Sequence, residues 1–112
     1  MKQEFIRGSR KRFETTITDL SSNPQNPDAG TCFVRLEKGG IYNPDSAPWH
    51  LCSAVGGTGE FGADIWLQNS LTLGDWVARF KWEIAGVPDY DSFEFVLKRK
   101  DQPWVNKGGP KL

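Results

Sequence analysis

Hydrophobic and polar positions alternate along this chain with a period of two. Phe61, Ala63, Ile65 and Leu67 fall on one side of their segment, with Asp64 and Trp66 on the other. Further along, Trp76, Ala78, Phe80 and Trp82 oppose Val77, Arg79, Lys81 and Glu83. Such alternation marks strands with one buried face, and two strands alone cannot shield that many large apolar side chains, so a second sheet is required. The same rhythm predicts a strand over Arg12 to Asp19, with Phe13, Thr15 and Ile17 inward. Thr31 to Lys38 repeats it with Cys32, Val34 and Leu36 inward, and Ser92 to Lys98 with Phe93, Phe95 and Leu97 inward.

Turn-forming residues punctuate these segments. Leu20 to Gly30 reads as a loop, and Gly39-Gly40 ends the strand before it. Residues 41–49, with Pro44 and Pro48, read as an irregular connection holding at most a short edge strand. His50 to Val55 forms a strand joined through Gly56 to Gly59 to the Phe61 segment. Gln68 to Asp75 crosses between sheets and tucks Leu71 or Leu73 beneath them, while Ile84 to Asp91 reads as a polar turn. No apolar stripe recurs at helical spacing. The expectation is an all-β chain, an immunoglobulin-like antiparallel β-sandwich of six to seven strands, with a small closed barrel as the structural alternative. The antibody-type Cys, Trp, Cys spacing is absent.

With 112 residues, 12 of them Gly and 7 Pro, the chain is expected to form one domain. Residues 1–10 read as an N-terminal arm, 11–99 as the sandwich and 100–112 as a C-terminal tail. No apolar run reaches the roughly 20 residues of a membrane helix and no signal-type segment follows Met1, so synthesis in a cytoplasm is expected. The two cysteines, Cys32 and Cys52, stand in no metal spacing. They read as buried free thiols, with a disulfide between facing sheets as the alternative.

A net charge of zero conceals an uneven distribution. Residues 1–12 carry +4, residues 98–112 carry +4, and the body between them carries −8. That acidic body is expected to repel nucleic acid, and no aromatic ladder lies within the basic ends. Catalytic chemistry is sparse. His50 is the one histidine, no serine or cysteine stands in a nucleophile-elbow context, and neither glycine pair opens a phosphate-binding helix, so no enzymatic activity and no cofactor are expected. Asp89, Asp91 and Glu94 carry oxygen ligands of the type calcium takes, but without a full ligand set they read as a solvated turn.

Several segments together resemble a known group: Ile6-Arg7-Gly8 before an alternating strand, Thr18-Asp19-Leu20-Ser21-Ser22-Asn23-Pro24-Gln25-Asn26-Pro27-Asp28, Thr58-Gly59-Glu60-Phe61, Leu73-Gly74-Asp75-Trp76 and a closing Phe93-Glu94-Phe95 strand. Over about residues 5–98 this layout is similar to the small immunoglobulin-like proteins encoded among tailed-phage structural genes and to the N-terminal sandwich of some phage baseplate proteins. The resemblance implies a structural protein of a virion, made in the host cytoplasm, as head decoration or tail and baseplate component, with other virion proteins as partners. The basic termini and exposed aromatics are the expected contacts: Phe5, Ile6, Arg7, Arg10, Trp49, Trp66, Lys98, Arg99, Lys100, Trp104 and Val105. The reading from another class is a carbohydrate-binding or adhesion module, in which Trp49, Trp66 or Trp104 would align as a flat platform for a glycan.

Overall fold

A computed structural model describes residues 3–38 and 48–99. The edge strand considered within 41–47 and the tail over 100–112 lie outside the described residues. Among the described residues there are eight strands: β1 (Gln3–Ile6), β2 (Ser9–Thr16), β3 (Phe33–Lys38), β4 (His50–Leu51), β5 (Ser53–Ala54), β6 (Glu60–Leu67), β7 (Gly74–Ile84) and β8 (Val87–Lys98). They form a five-stranded sheet ordered β1-β8-β7-β3-β4 and a three-stranded sheet ordered β2-β6-β5.

The two inner faces meet in one core. Phe13, Ile65 and Leu67 of the three-stranded sheet pack with Val34, Leu36, Ala78, Phe80, Phe95 and Leu97 of the other, all buried. Every inward parity expected for β3, β6 and β7 is present, because a period of two leaves each strand only two choices and one of them would expose the large apolar row. The Phe13 ring anchors an aromatic group, 5.5 Å from Phe95 and 6.1 Å from Phe93 between centroids. Of the two leucines in the β6–β7 crossover, Leu71 packs on the core and Leu73 stays partly exposed.

Three segments differ from expectation. The single strand expected over His50 to Val55 splits at Cys52 into β4 on the five-stranded sheet and β5 on the three-stranded one, so that the described strands number eight and not six to seven. The N-terminal stretch is no free arm: β1 pairs in parallel with the end of β8, from Gln3 opposite Phe95 to Ile6 opposite Lys98. Phe5 is 7% exposed, with its ring 5.4 Å from Phe13 and 5.0 Å from Phe95. One core side chain in a four-residue strand is too short a signal for periodicity to register. The third difference is the span expected as a polar turn, which shrinks to Ala85 and Gly86. Their φ values of 53° and 80° make the two-residue turn whose twist suits a hairpin, so β8 starts at Val87. The turn is held from outside, since both Asp28 carboxylate oxygens accept its amides, from Ala85 at 3.0 Å and from Gly86 at 2.9 Å.

The loop carrying Asp28 is itself fixed by polar side chains. Asp19 Oδ1 accepts from the amides of Ser21 and Asn23, and Asn26 Oδ1 accepts from Gly59 N–H at 2.8 Å. Gly59 has φ 82°, and a Cβ there would stand 2.5 Å from the Ile17 carbonyl oxygen, so no other residue fits without moving backbone.

Because β1 covers only the end of β8, the segment Val87 to Glu94 forms a sheet edge. Residues paired with β7 alternate between those that bond across the ladder and those whose amides face outward. Counting from the two-residue turn puts Pro88, Tyr90 and Ser92 in the outward set. Pro88 has no N–H, while Tyr90 N–H donates to Asp89 Oδ1 and Ser92 N–H to Asp91 Oδ1, both at 2.8 Å. The donors that a foreign strand would need are absent or engaged.

Two outcomes follow. Phe5→Ala should lower unfolding free energy by about 3 kcal/mol, as truncation of a core phenylalanine does; denaturant titration showing a change within about 0.5 kcal/mol would return residues 3–6 to a free arm. Joint replacement Pro88→Val with Asp89→Ala should keep the melting temperature but produce concentration-dependent association in light scattering, and a variant that stays monomeric would contradict the edge-blocking role.

Candidate interaction surface

Residues of β3, β7 and β8 that alternate with the core row point away from it and build the outer face of the five-stranded sheet. The register sets them in rows: Phe33, Lys81 and Tyr90; then Arg35, Arg79 and Ser92; then Glu37, Val77 and Glu94. Trp49 enters this face from the segment just before β4. The Arg35 guanidinium lies 4.9 Å and the Lys81 ammonium 4.2 Å from the Trp49 ring centroid, and Lys81 also lies 5.6 Å from that of Phe33.

An ion-pair ladder fixes the cations. Arg35 donates from Nη2 to Glu37 Oε2 at 2.6 Å, and Arg79 donates from Nε to Glu37 Oε1 at 2.6 Å. With Glu37 and Arg35 partly buried, the ladder contributes modestly to stability while it holds planar guanidiniums in one arrangement. Burial disfavours the charged form of Glu37, but hydrogen bonds and charge from Arg79 and Arg35 outweigh it and hold its pKa below the usual glutamate range. Two guanidiniums share one carboxylate, and Lys81 adds a third cation, so the centre of the face is positive while Glu83 and Glu94 stand toward its ends. A groove of about 530 Å³ runs here between Trp49, Arg35, Glu37, Arg79, Tyr90 and Ser92. Tyr90 is 69% exposed. The groove presents aromatic area beside fixed hydrogen-bond donors, a combination suited to protein contact.

Of the described residues expected from sequence, Trp49 alone belongs to this face. Phe5 is in the core and so offers no anchor to a partner. Ile6 is partly exposed on the edge strand, and Arg7 spends Nη1 on the Leu71 carbonyl at 2.8 Å where the chain crosses between sheets. Arg10 lies directly across from Trp66 on the outer face of the three-stranded sheet, where Trp66 is 51% exposed. Lys98 pairs with Glu4 at 3.2 Å, and Arg99 follows it, exposed. Lys100, Trp104 and Val105 lie outside the described residues. Trp49 and Trp66 therefore face opposite sides and form no common platform. Arg35, Arg79, Lys81, Phe33 and Tyr90 had no individual signal. They are the outward partners of core positions, and three of the four cations in the acidic body meet only once the strands are in register.

Other polar groups do not assemble. Asp89 and Asp91 are engaged by backbone amides, Asp91 also accepts from Thr15 Oγ1 at 2.9 Å across the open side of the sandwich, and Glu94 has the opposite parity. No metal-binding cluster occurs among the described residues. His50 is half-buried opposite Val34.

A carboxylate held lower in the folded than in the unfolded chain contributes stability that is fully present above the unfolded value, about 4.3, and lost as pH falls through the folded one. Chemical unfolding across pH should therefore show the wild type losing stability faster than Glu37→Gln on acidification below about pH 4.3; parallel curves would mean that the ladder does not form in solution. Comparison with protein-family models, curated proteins and solved structures yields no match to this chain.

Proposed function

We propose that this chain is a single immunoglobulin-type sandwich acting as a non-enzymatic structural protein of a bacteriophage particle. It binds neighbouring virion proteins, as head decoration or as a tail or baseplate component, through the outer face of its five-stranded sheet. The strand order favours the immunoglobulin type: β2, β6 and β5 take the places of strands B, E and D, and β3, β7 and β8 those of C, F and G. The virion role rests on the resemblance in the sequence.

The observation that carries the choice of surface is Trp49 held beside Arg35 and Lys81, with the Glu37 ladder and exposed Tyr90 around it. Interfaces concentrate their energy in aromatic and arginine side chains that are already ordered before binding. The positive centre fits a partner surface bearing carboxylates, such as the acidic flank of a neighbouring copy. The glycan reading is less well served, because the two described candidate tryptophans lie on opposite faces and cations already occupy space over Trp49.

Tyr90→Ala combined with Arg79→Gln, which removes the cation without setting a second carboxylate against Glu37, should lower the melting temperature by only a few degrees. Loss of two central contacts should cut incorporation into particles about 30-fold, the equivalent of roughly 2 kcal/mol. Co-sedimentation of tagged chain with assembled particles measures this, and normal incorporation of the double variant would remove the outer face from consideration. Raised salt should weaken incorporation of the wild type as well.

A further inference from the structure

The fold brings its two cysteines face to face. Cys32 immediately precedes β3, and Cys52 is the residue at which the chain leaves β4 for β5. Since Phe33 pairs with Leu51, Cys32 stands directly opposite Cys52, and Cys52 N–H donates to the Cys32 carbonyl at 2.8 Å. Hydrogen-bonded residues opposite each other in an antiparallel pair have Cα atoms about 5.5 Å apart, inside the roughly 4.4–6.8 Å that a disulfide spans. The pair therefore lies along one sheet and not between facing sheets. Both residues are buried, at 2% and 6% exposure, and both are free thiols.

Their surroundings make them unequal. A separate side-chain hydrogen bond from Cys52 holds the Cys32 thiol below its ordinary range despite burial. The same contact, burial and the charge of Cys32 all push Cys52 up. Of the two sulfurs, Cys32 is the one shifted toward the nucleophilic thiolate form. A small reagent would reach the sulfurs when β4 opens: it has only two residues and is outermost in its sheet among the described residues, the kind of element that opens with least cost.

We propose that Cys32 and Cys52 form a peroxide-responsive dithiol that closes into a cross-strand disulfide and fastens the Trp49-bearing segment to β3. The Cys32 thiolate attacks one oxygen of hydrogen peroxide and breaks the O–O bond. This gives the Cys32 sulfenic acid and a hydroxide that is protonated to water. The Cys52 sulfur then attacks the Cys32 sulfur, forming the S–S bond and breaking S–O. The departing hydroxide takes up the Cys52 proton and leaves as a second water. Two thiols lose two electrons in all, and one peroxide gains them. Trp49 lies in the same short segment as Cys52, so the bond would restrict motion of the aromatic group on the outer face. The chemistry itself is independent of any partner.

The test uses the full reduced chain exposed to dilute hydrogen peroxide and followed by intact mass and a non-reducing peptide map. The expected result is loss of two hydrogens, a single Cys32–Cys52 peptide link, reversal by dithiothreitol and a melting temperature several degrees higher when oxidised. In Cys52→Ser, or in Cys52→Ala should the first variant fold poorly, Cys32 should stop at a sulfenic acid that dimedone traps. The proposal is overturned if both thiols survive peroxide that oxidises an exposed peptide thiol. Further oxidation of Cys32 with Cys52 still free, or links only between molecules, would overturn it equally. The peptide map of the wild type decides the matter even if neither variant folds.

Discussion

The register between β7 and β8 is the constraint from which the rest of this molecule follows. One alternation buries Trp76, Ala78, Phe80, Phe93 and Phe95 or packs them on the core, and the other displays Arg79, Lys81, Tyr90 and Ser92. A slip of one residue would exchange the two sets, removing the core and the surface groove together. The turn at Ala85 and Gly86 fixes this register, and Asp28, from a loop distant in sequence, fixes the turn through both of its oxygens. Pairing of β3 with β7 then brings Arg35 beside Arg79 and Phe33 beside Lys81. The outer face is thus a consequence of the same hydrogen bonds that make the core.

Edges are treated differently from faces. The free stretch of β8 has its outward amides removed by Pro88 or engaged by Asp89 and Asp91, and Asp91 also reaches Thr15 in the opposite sheet. At the other margin, β4 is a two-residue strand that ends where Cys52 turns toward the three-stranded sheet. At these two margins the five-stranded sheet offers little for strand addition, whereas the eight-residue β2 stands outermost in the three-stranded sheet.

Much of the fold was legible in the sequence because period-two alternation is a local signal. Val34, Leu36, Ile65, Leu67, Phe80 and Phe95 were identifiable as core from their neighbours alone. Phe5 was not, since its burial depends on a parallel pairing with residues near the other end of the chain. The start of β8 was hidden for a related reason: Pro88, Asp89 and Asp91 are turn formers in composition, and only their place on an edge explains them. Of the surface, Trp49 was readable as an aromatic with no core position to fill. Its companions are charged or outward residues, each unremarkable in its own strand, and their meeting is a property of register.

Side-chain oxidation footprinting by hydroxyl radicals, with the chain free and then assembled on the particle, tests the central claim most directly. Trp66, exposed on the opposite face, serves as the internal reference. If the outer face of the five-stranded sheet is the contact, Tyr90, Trp49 and Phe33 lose reactivity on assembly while Trp66 keeps it. Protection of Trp66 with Tyr90 and Trp49 unchanged would contradict the account and place the contact on the three-stranded sheet.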